Sequence, residues 1–202
     1  MFKKLFFTLV ICLFIKTNAQ DGTVSPYSYF GLGTFNPANT VENNAMGGLS
    51  IYGDSIHVNL QNPASYGLLK LTTYTVGVSH RRMALTSDTQ EKSTALTAID
   101  YLSVAMPIAE NIGIGFGITP VTSMGYILNS SAENANGETI TNVFSGDGGL
   151  SKIYFSLGAA PIKNFTVGAS AFANFGTVNK ERVQSLSSVL FGTIDRRTSR
   201  MN

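Results

Sequence analysis

Asp54 and His57 stand three residues apart and are the nearest approach in this chain to an acid/base pair. A hydrolytic or transfer centre needs a nucleophile and an orienting group as well. Neither is suggested by the irregular segment around them, so His57 reads as an ordinary hydrogen-bonding residue. His80 precedes Arg81 and Arg82 and reads as the polar end of a strand. Gly113, Gly115 and Gly117, in the run GIGFG, have the look of a phosphate-binding loop. They lie inside a strand pattern with no following helix to point amides at an anion. Asp147 among glycines offers one carboxylate, where calcium takes six to eight oxygens. Asn129-Ser-Ser matches a glycosylation sequon inside a Ser/Asn-rich loop. The single cysteine, Cys12, falls in a segment expected to be removed. No catalytic, cofactor-binding or metal-binding constellation emerges, and a non-enzymatic protein is expected.

The elements around these residues are strands. Ile112, Ile114, Phe116 and Ile118 alternate with Gly113, Gly115, Gly117 and Thr119, giving one apolar and one nearly bare face. The pattern returns as Ile153, Phe155 and Leu157 against Tyr154, Ser156 and Gly158. It continues as Val167, Ala169 and Ala171 against Gly168, Ser170 and Phe172. Both hairpin turns carry Pro-Ile, a charged residue and Asn. The faces are assigned accordingly: Ile114, Phe116, Phe155, Leu157, Val167 and Ala169 toward lipid, and Gly115, Ser156, Gly158, Ser170 and Asn174 toward a lumen. A further arm spans residues 71–81. The second arm of the first hairpin continues through Pro120, a residue suited to a bulge or an edge.

Residues 87–94 and 129–149 read as long loops, with a weak strand near 139–144 and a turn at Gly146-Asp-Gly-Gly. Beyond Asn179 the pattern fades, Val189 to Ile194 offer the start of another strand, and DRRTSRMN supplies no apolar arm. Short turns at one end and long loops at the other suit a transmembrane barrel. Lipid accepts such strands because a closed sheet satisfies its own backbone groups.

Composition agrees. Only 13% of residues are charged and the formal net charge is +2, against about 25% charged in soluble domains. No run of like charge announces a nucleic-acid surface. Lys3 and Lys4, an apolar run over 5–15 and the small residue Ala19 form a signal peptide at 1–19. The apolar run stops at Lys16, short of the about 20 residues a spanning helix requires. Residues 20–69 are punctuated by glycine and proline but rich in aromatics (Tyr27, Tyr29, Phe30, Phe35, Tyr52, Tyr66), as expected of a hatch packed inside or across a barrel.

NAMGGLSIYGD from Asn44, with Met46, Gly47, Gly48 and Asp54, and NPASY from Asn62, with Pro63 and Ala64, resemble the hatch of long-chain fatty-acid (FadL-like) outer-membrane transporters. SPYSYFGLG from Ser25 resembles the mature N-terminus of related Bacteroidetes-type outer-membrane proteins. The resemblance implies a plug at 20–69, the N-terminal strands of an outer-membrane barrel over 70–202 and uptake of apolar small molecules in a Gram-negative outer membrane. The hatch residues are structural markers rather than a ligand signature.

The expected fold is therefore all-β: an antiparallel meander forming a transmembrane β-barrel with an N-terminal hatch. Five or six strands are credible where the smallest closed barrels use about eight, so the barrel is expected to be incomplete and the chain truncated. Outer-membrane lipid, an apolar small molecule and other outer-membrane proteins are the expected partners, with no nucleic acid and no cofactor. The alternatives are a structural or secretion-associated barrel that docks other proteins, and a soluble secreted β-sandwich binding module.

Overall fold

The computed structural model describes residues 23–86, 91–135, 137–186 and 192–201. The expected signal peptide and Cys12 lie outside the described residues. The order is a 3₁₀ turn (Pro26–Tyr29), β1 (Thr34–Phe35), α1 (Val41–Ala45), a second 3₁₀ turn (Pro63–Leu68), then β2 (Thr73–Thr86), β3 (Glu91–Ala109), β4 (Ile112–Glu133), β5 (Thr139–Ile162), β6 (Phe165–Leu186) and β7 (Thr193–Met201). Strands β2 to β7 pair antiparallel in sequence order, and β1 adds to β4. The all-β meander is as expected. The sheet is not closed, with β2 and β7 as its edges among the described residues.

The two short turns rest on Asn111 and Asn164, at φ 64° and 65°. Asparagine tolerates this left-handed conformation better than most residues because its short amide bonds locally to backbone.

Several sequence expectations are corrected at the other end of the sheet. Residues 129–149 are not a loop. Strand β4 runs unbroken to Glu133 and β5 resumes at Thr139, around a turn closed by Asn134 N–H donating to the Glu138 carbonyl at 2.9 Å. Gly146-Asp-Gly-Gly lies inside β5. A Cβ at Gly146 would lie 2.6 Å from Cζ of Tyr126, so this glycine makes room for a ring rather than a turn. Residues 91–94 belong to β3, while 87–90 lie outside the described residues, and His80 sits mid-strand with Nδ1 2.9 Å from Thr97 Oγ1. After Asn179, where the pattern fades, β6 runs on to Leu186, and β7 follows from Thr193, near the strand start expected at Val189 to Ile194. There Arg196 reaches Glu181 at 2.7 Å and Thr198 donates to Asn179 at 3.0 Å across the strands.

The two faces are distinct. Ile153, Phe155, Leu157, Phe165 and Val167 are exposed on one, while Ser103, Ala105, Tyr154 and Ser156 are buried on the other. On β6 the apolar outer stretch covers residues 165–175, about eleven residues, which matches a tilted membrane-crossing strand of about 9–11. Beyond it the same face carries Asn179, Glu181 and Arg196. The strands thus outrun their apolar band, and what reads as long loops is paired, polar strand.

Candidate functional site

The buried face of the sheet is a floor for residues 23–70. The second 3₁₀ turn lies flat on the glycines of β4, β5 and β6. A Cβ at Gly115 would lie 2.5 Å from the Tyr66 ring, and one at Gly168 would lie 2.5 Å from the Pro63 carbonyl carbon. From the other side, a Cβ on Gly67 would lie 2.6 Å from the Ala159 carbonyl carbon. Backbone meets backbone here, as only glycine allows. The bare strand face is therefore a seat for the plug, and its glycines are where the chain is closest to itself. Tyr66 is 1% exposed and packs with Val58, Leu69 and Ala105. Burial, then the neighbouring Tyr154 phenol, pushes the Tyr66 hydroxyl up, so it stays a neutral O–H.

The expected hatch residues hold local geometry. Thr40 caps α1 by accepting the Asn43 N–H at 3.3 Å. Met46 ends the helix, and Gly47 and Gly48, at φ 74° and 84°, turn the chain while their N–H groups donate to the Asn44 and Asn43 carbonyls. Asp54 Oδ1 accepts the Ile56 N–H at 2.9 Å and the His57 N–H at 2.6 Å, and its second oxygen meets the His57 ring. Burial opposes ionisation of Asp54, but these bonds prevail and hold it below the usual carboxylate value. Asp54 and His57 are thus a turn clamp at the surface. Asn62 accepts the Ala64 N–H at 3.2 Å and caps the turn that Pro63 begins.

The residue that ties these pieces together gave no sequence signal. Asn59, 4% exposed, donates to the Ser50 and Tyr52 carbonyls at 2.6 and 3.2 Å and accepts from the Gln61 and Asn62 N–H groups. Its periodicity is that of a loop, and only the fold reveals four bonds on one amide. Asn59→Ala should destabilise the plug by about 1–3 kcal/mol, because all four hydrogen bonds of one buried amide are lost together. Protease resistance of residues 50–62, followed against denaturant, checks it.

The first 3₁₀ turn forms a second anchor. Tyr29 packs edge-on against Tyr126 and Phe144, and Lys180 donates to the Tyr29 and Gly31 carbonyls at 3.2 and 2.9 Å. Ser28 donates to the Ser25 carbonyl and accepts the Gly125 N–H. Tyr27, Phe30, Phe35 and Tyr52, expected as anchors, are 66–76% exposed. Val58, Leu60 and Leu69 hold the plug in their place.

The segment thus lies on a glycine floor, and the bonds of its motif residues close local turns. The family model of BamG matches residues 1–202. The chain belongs to the BamG family. BamG is an outer-membrane-associated component of the BAM complex, and the family carries association with other outer-membrane proteins. This overturns the fatty-acid-transporter resemblance, and with it the reading of the chain as a porin-like importer of hydrophobic small molecules. The physical reason lies in the residues that suggested it. Met46, Gly47 and Gly48 close a helix and Asn62, Pro63 and Ala64 open a turn, tasks any plug on such a floor would need. Neither the curated proteins nor the solved structures give a match.

Proposed function

We propose that this chain is a non-enzymatic docking component of outer-membrane protein assembly, seated in the outer membrane by its strands and exported through a cleaved signal peptide. Membership of the BamG family carries the reading. Two features support it. The outer face presents an apolar band of membrane-crossing height, and the turn at Pro63–Leu68 holds backbone to backbone on the glycine floor. The strands belong to a barrel wall, since hydrocarbon penalises every unpaired backbone group by several kcal/mol. The protein's part in assembly is to offer surface to other outer-membrane proteins.

Depletion of the chain tests this. The steady-state level of folded, heat-modifiable outer-membrane barrels should fall several-fold while inner-membrane proteins are unchanged. Normal barrel levels combined with lost uptake of an apolar compound would overturn the reading.

A further inference from the structure

Strands β3 and β4 part company halfway along. Their pairing ends at Leu102↔Ile118, whereas β3 stays paired to β2 as far as Glu91 and β4 to β5 as far as Glu133. Two irregularities meet at the fork. The β2–β3 register shifts at Gly77/Val78, leaving Asp100 as the extra residue, and the β4–β5 register shifts between Pro120 and Thr122. A bulge bends its strand and sharpens its twist. Pro120, which lacks an N–H, leaves no ladder donor unmet at that point. Ser79 and Arg81 fix the first bulge, donating to Asp100 at 2.9 Å and approaching it at 3.6 Å.

The inner edge of the fork already takes a strand. Residues Thr34 and Phe35 of β1 pair with Ser123 and Thr122, and the Asn36 N–H reaches the Val121 carbonyl at 2.9 Å. Gly125 N–H, two residues on from Ser123, points the same way and donates to Ser28. In an antiparallel strand the N–H and C=O of one residue face the same neighbour, and alternate residues face the same side. With no register shift between Thr122 and Glu133, Ile127, Asn129 and Ser131 present their backbone groups to the fork. Among the described residues, none pairs with them there. A cavity of about 430 Å³ lies at this point, bordered by Leu85 and Thr94 on one side, by Ile127 and Leu128 on the other, and by Val24 and Pro26 of the segment that leads into the first 3₁₀ turn.

We infer that the fork between β3 and β4 is a docking site for an extended strand of an outer-membrane protein during assembly, which adds to the β4 edge at Ile127, Asn129 and Ser131 in continuation of β1. The inference rests on the assembly role and names its contact surface. A strand fits better than an acyl chain because the edge offers hydrogen-bonding groups, which hydrocarbon leaves unmet. Affinity comes from main-chain bonds, and so accommodates many client sequences.

The probe is a fluorescent ten-residue peptide of alternating Val and Thr, titrated into the purified full-length chain in detergent. Saturable binding is expected, weakened at least tenfold by N-methylation of alternate residues on one peptide edge. Asn129→Pro should weaken it to a similar degree, because the lost N–H faces the fork and the β4–β5 ladder is spared. Binding that ignores N-methylation, persists in Asn129→Pro through the β2 or β7 edge, or is displaced by a fluorescent fatty acid overturns the inference. If the peptide fails while the chain still co-isolates with assembly proteins, the fork is refuted and the assembly role stands. Loss of co-isolation refutes that role whatever the peptide does.

Discussion

A Gly158→Val variant should keep its sheet and release its plug. Gly158 faces the second 3₁₀ turn, where a Cβ would sit inside the Pro63 carbonyl oxygen, 2.8 Å from the Gly67 nitrogen and 3.0 Å from the Tyr66 Cβ. Two of these atoms are backbone, so neither can rotate aside. Valine itself suits a strand, and the β4–β5 and β5–β6 ladders through this residue need no adjustment. The turn must therefore move. Overpacking of a tight contact costs about 1–3 kcal/mol and occasionally more, and displacement of Tyr66 would also empty the cluster with Val58 and Leu69. Amide hydrogen exchange over residues 58–69 should accelerate by about one to two orders of magnitude, with the strands unaffected. Leu157→Val, one residue away on the outer face, should leave exchange in the plug unchanged. Equal acceleration in the two variants would show that the plug is not seated on the glycine floor.

The second large effect distinguishes the two faces of the sheet with one chemical change. Phe155 and Phe172 are 51% and 65% exposed and sit on neighbouring strands, but on opposite faces. Phe172 is the register partner of buried Tyr154, so it shares the plug side, while Phe155 stands on the apolar band. Phe155→Arg should impair membrane insertion by about 2–4 kcal/mol if it lies near the midplane. Phe172→Arg should be tolerated, beside the Lys152 ammonium that already lies over its ring. The outer-membrane yield of folded protein reads the difference. Gly117→Ser, a mild change by composition, is no neutral control, because a Cβ there would meet the Leu102 carbonyl. Similar yields for the two arginine variants would show that the band does not face lipid.

Much of this fold is legible in the sequence, and the misreadings share a cause. Strict alternation in residues 112–118, 153–159 and 167–174 specifies strands and their faces because the period of side chains along a strand is two. Pro120 is at a bulge, as a residue without an N–H should be. The glycines mislead. At Gly146, Gly148 and Gly149 they resemble a turn, yet they serve close packing inside β5, a role that depends on Tyr126 and Thr177 from other strands. Strand β7 is legible only at its start, where Val189 to Ile194 suggest a strand, because Asp195, Arg196, Arg197 and Arg200 give the rest of it no apolar period.

The plug was half legible. Asn62 and Pro63 predict a capped turn from local chemistry, whereas Asn59 acts through carbonyls seven and nine residues away, beyond any local pattern. Aromatic type alone does not identify an anchor: Tyr29 and Tyr66 pack, while Tyr27 and Tyr52 do not. Function was least legible, since caps and turns recur wherever a segment must lie close against a sheet.

Co-isolation tests the central claim most directly. The full-length chain, tagged and drawn from outer membranes in mild detergent, should bring the components of the BAM complex with it in stable proportion, and should do so without any added apolar compound. Recovery of the tagged chain alone from a membrane fraction in which the BAM complex is intact would contradict the account.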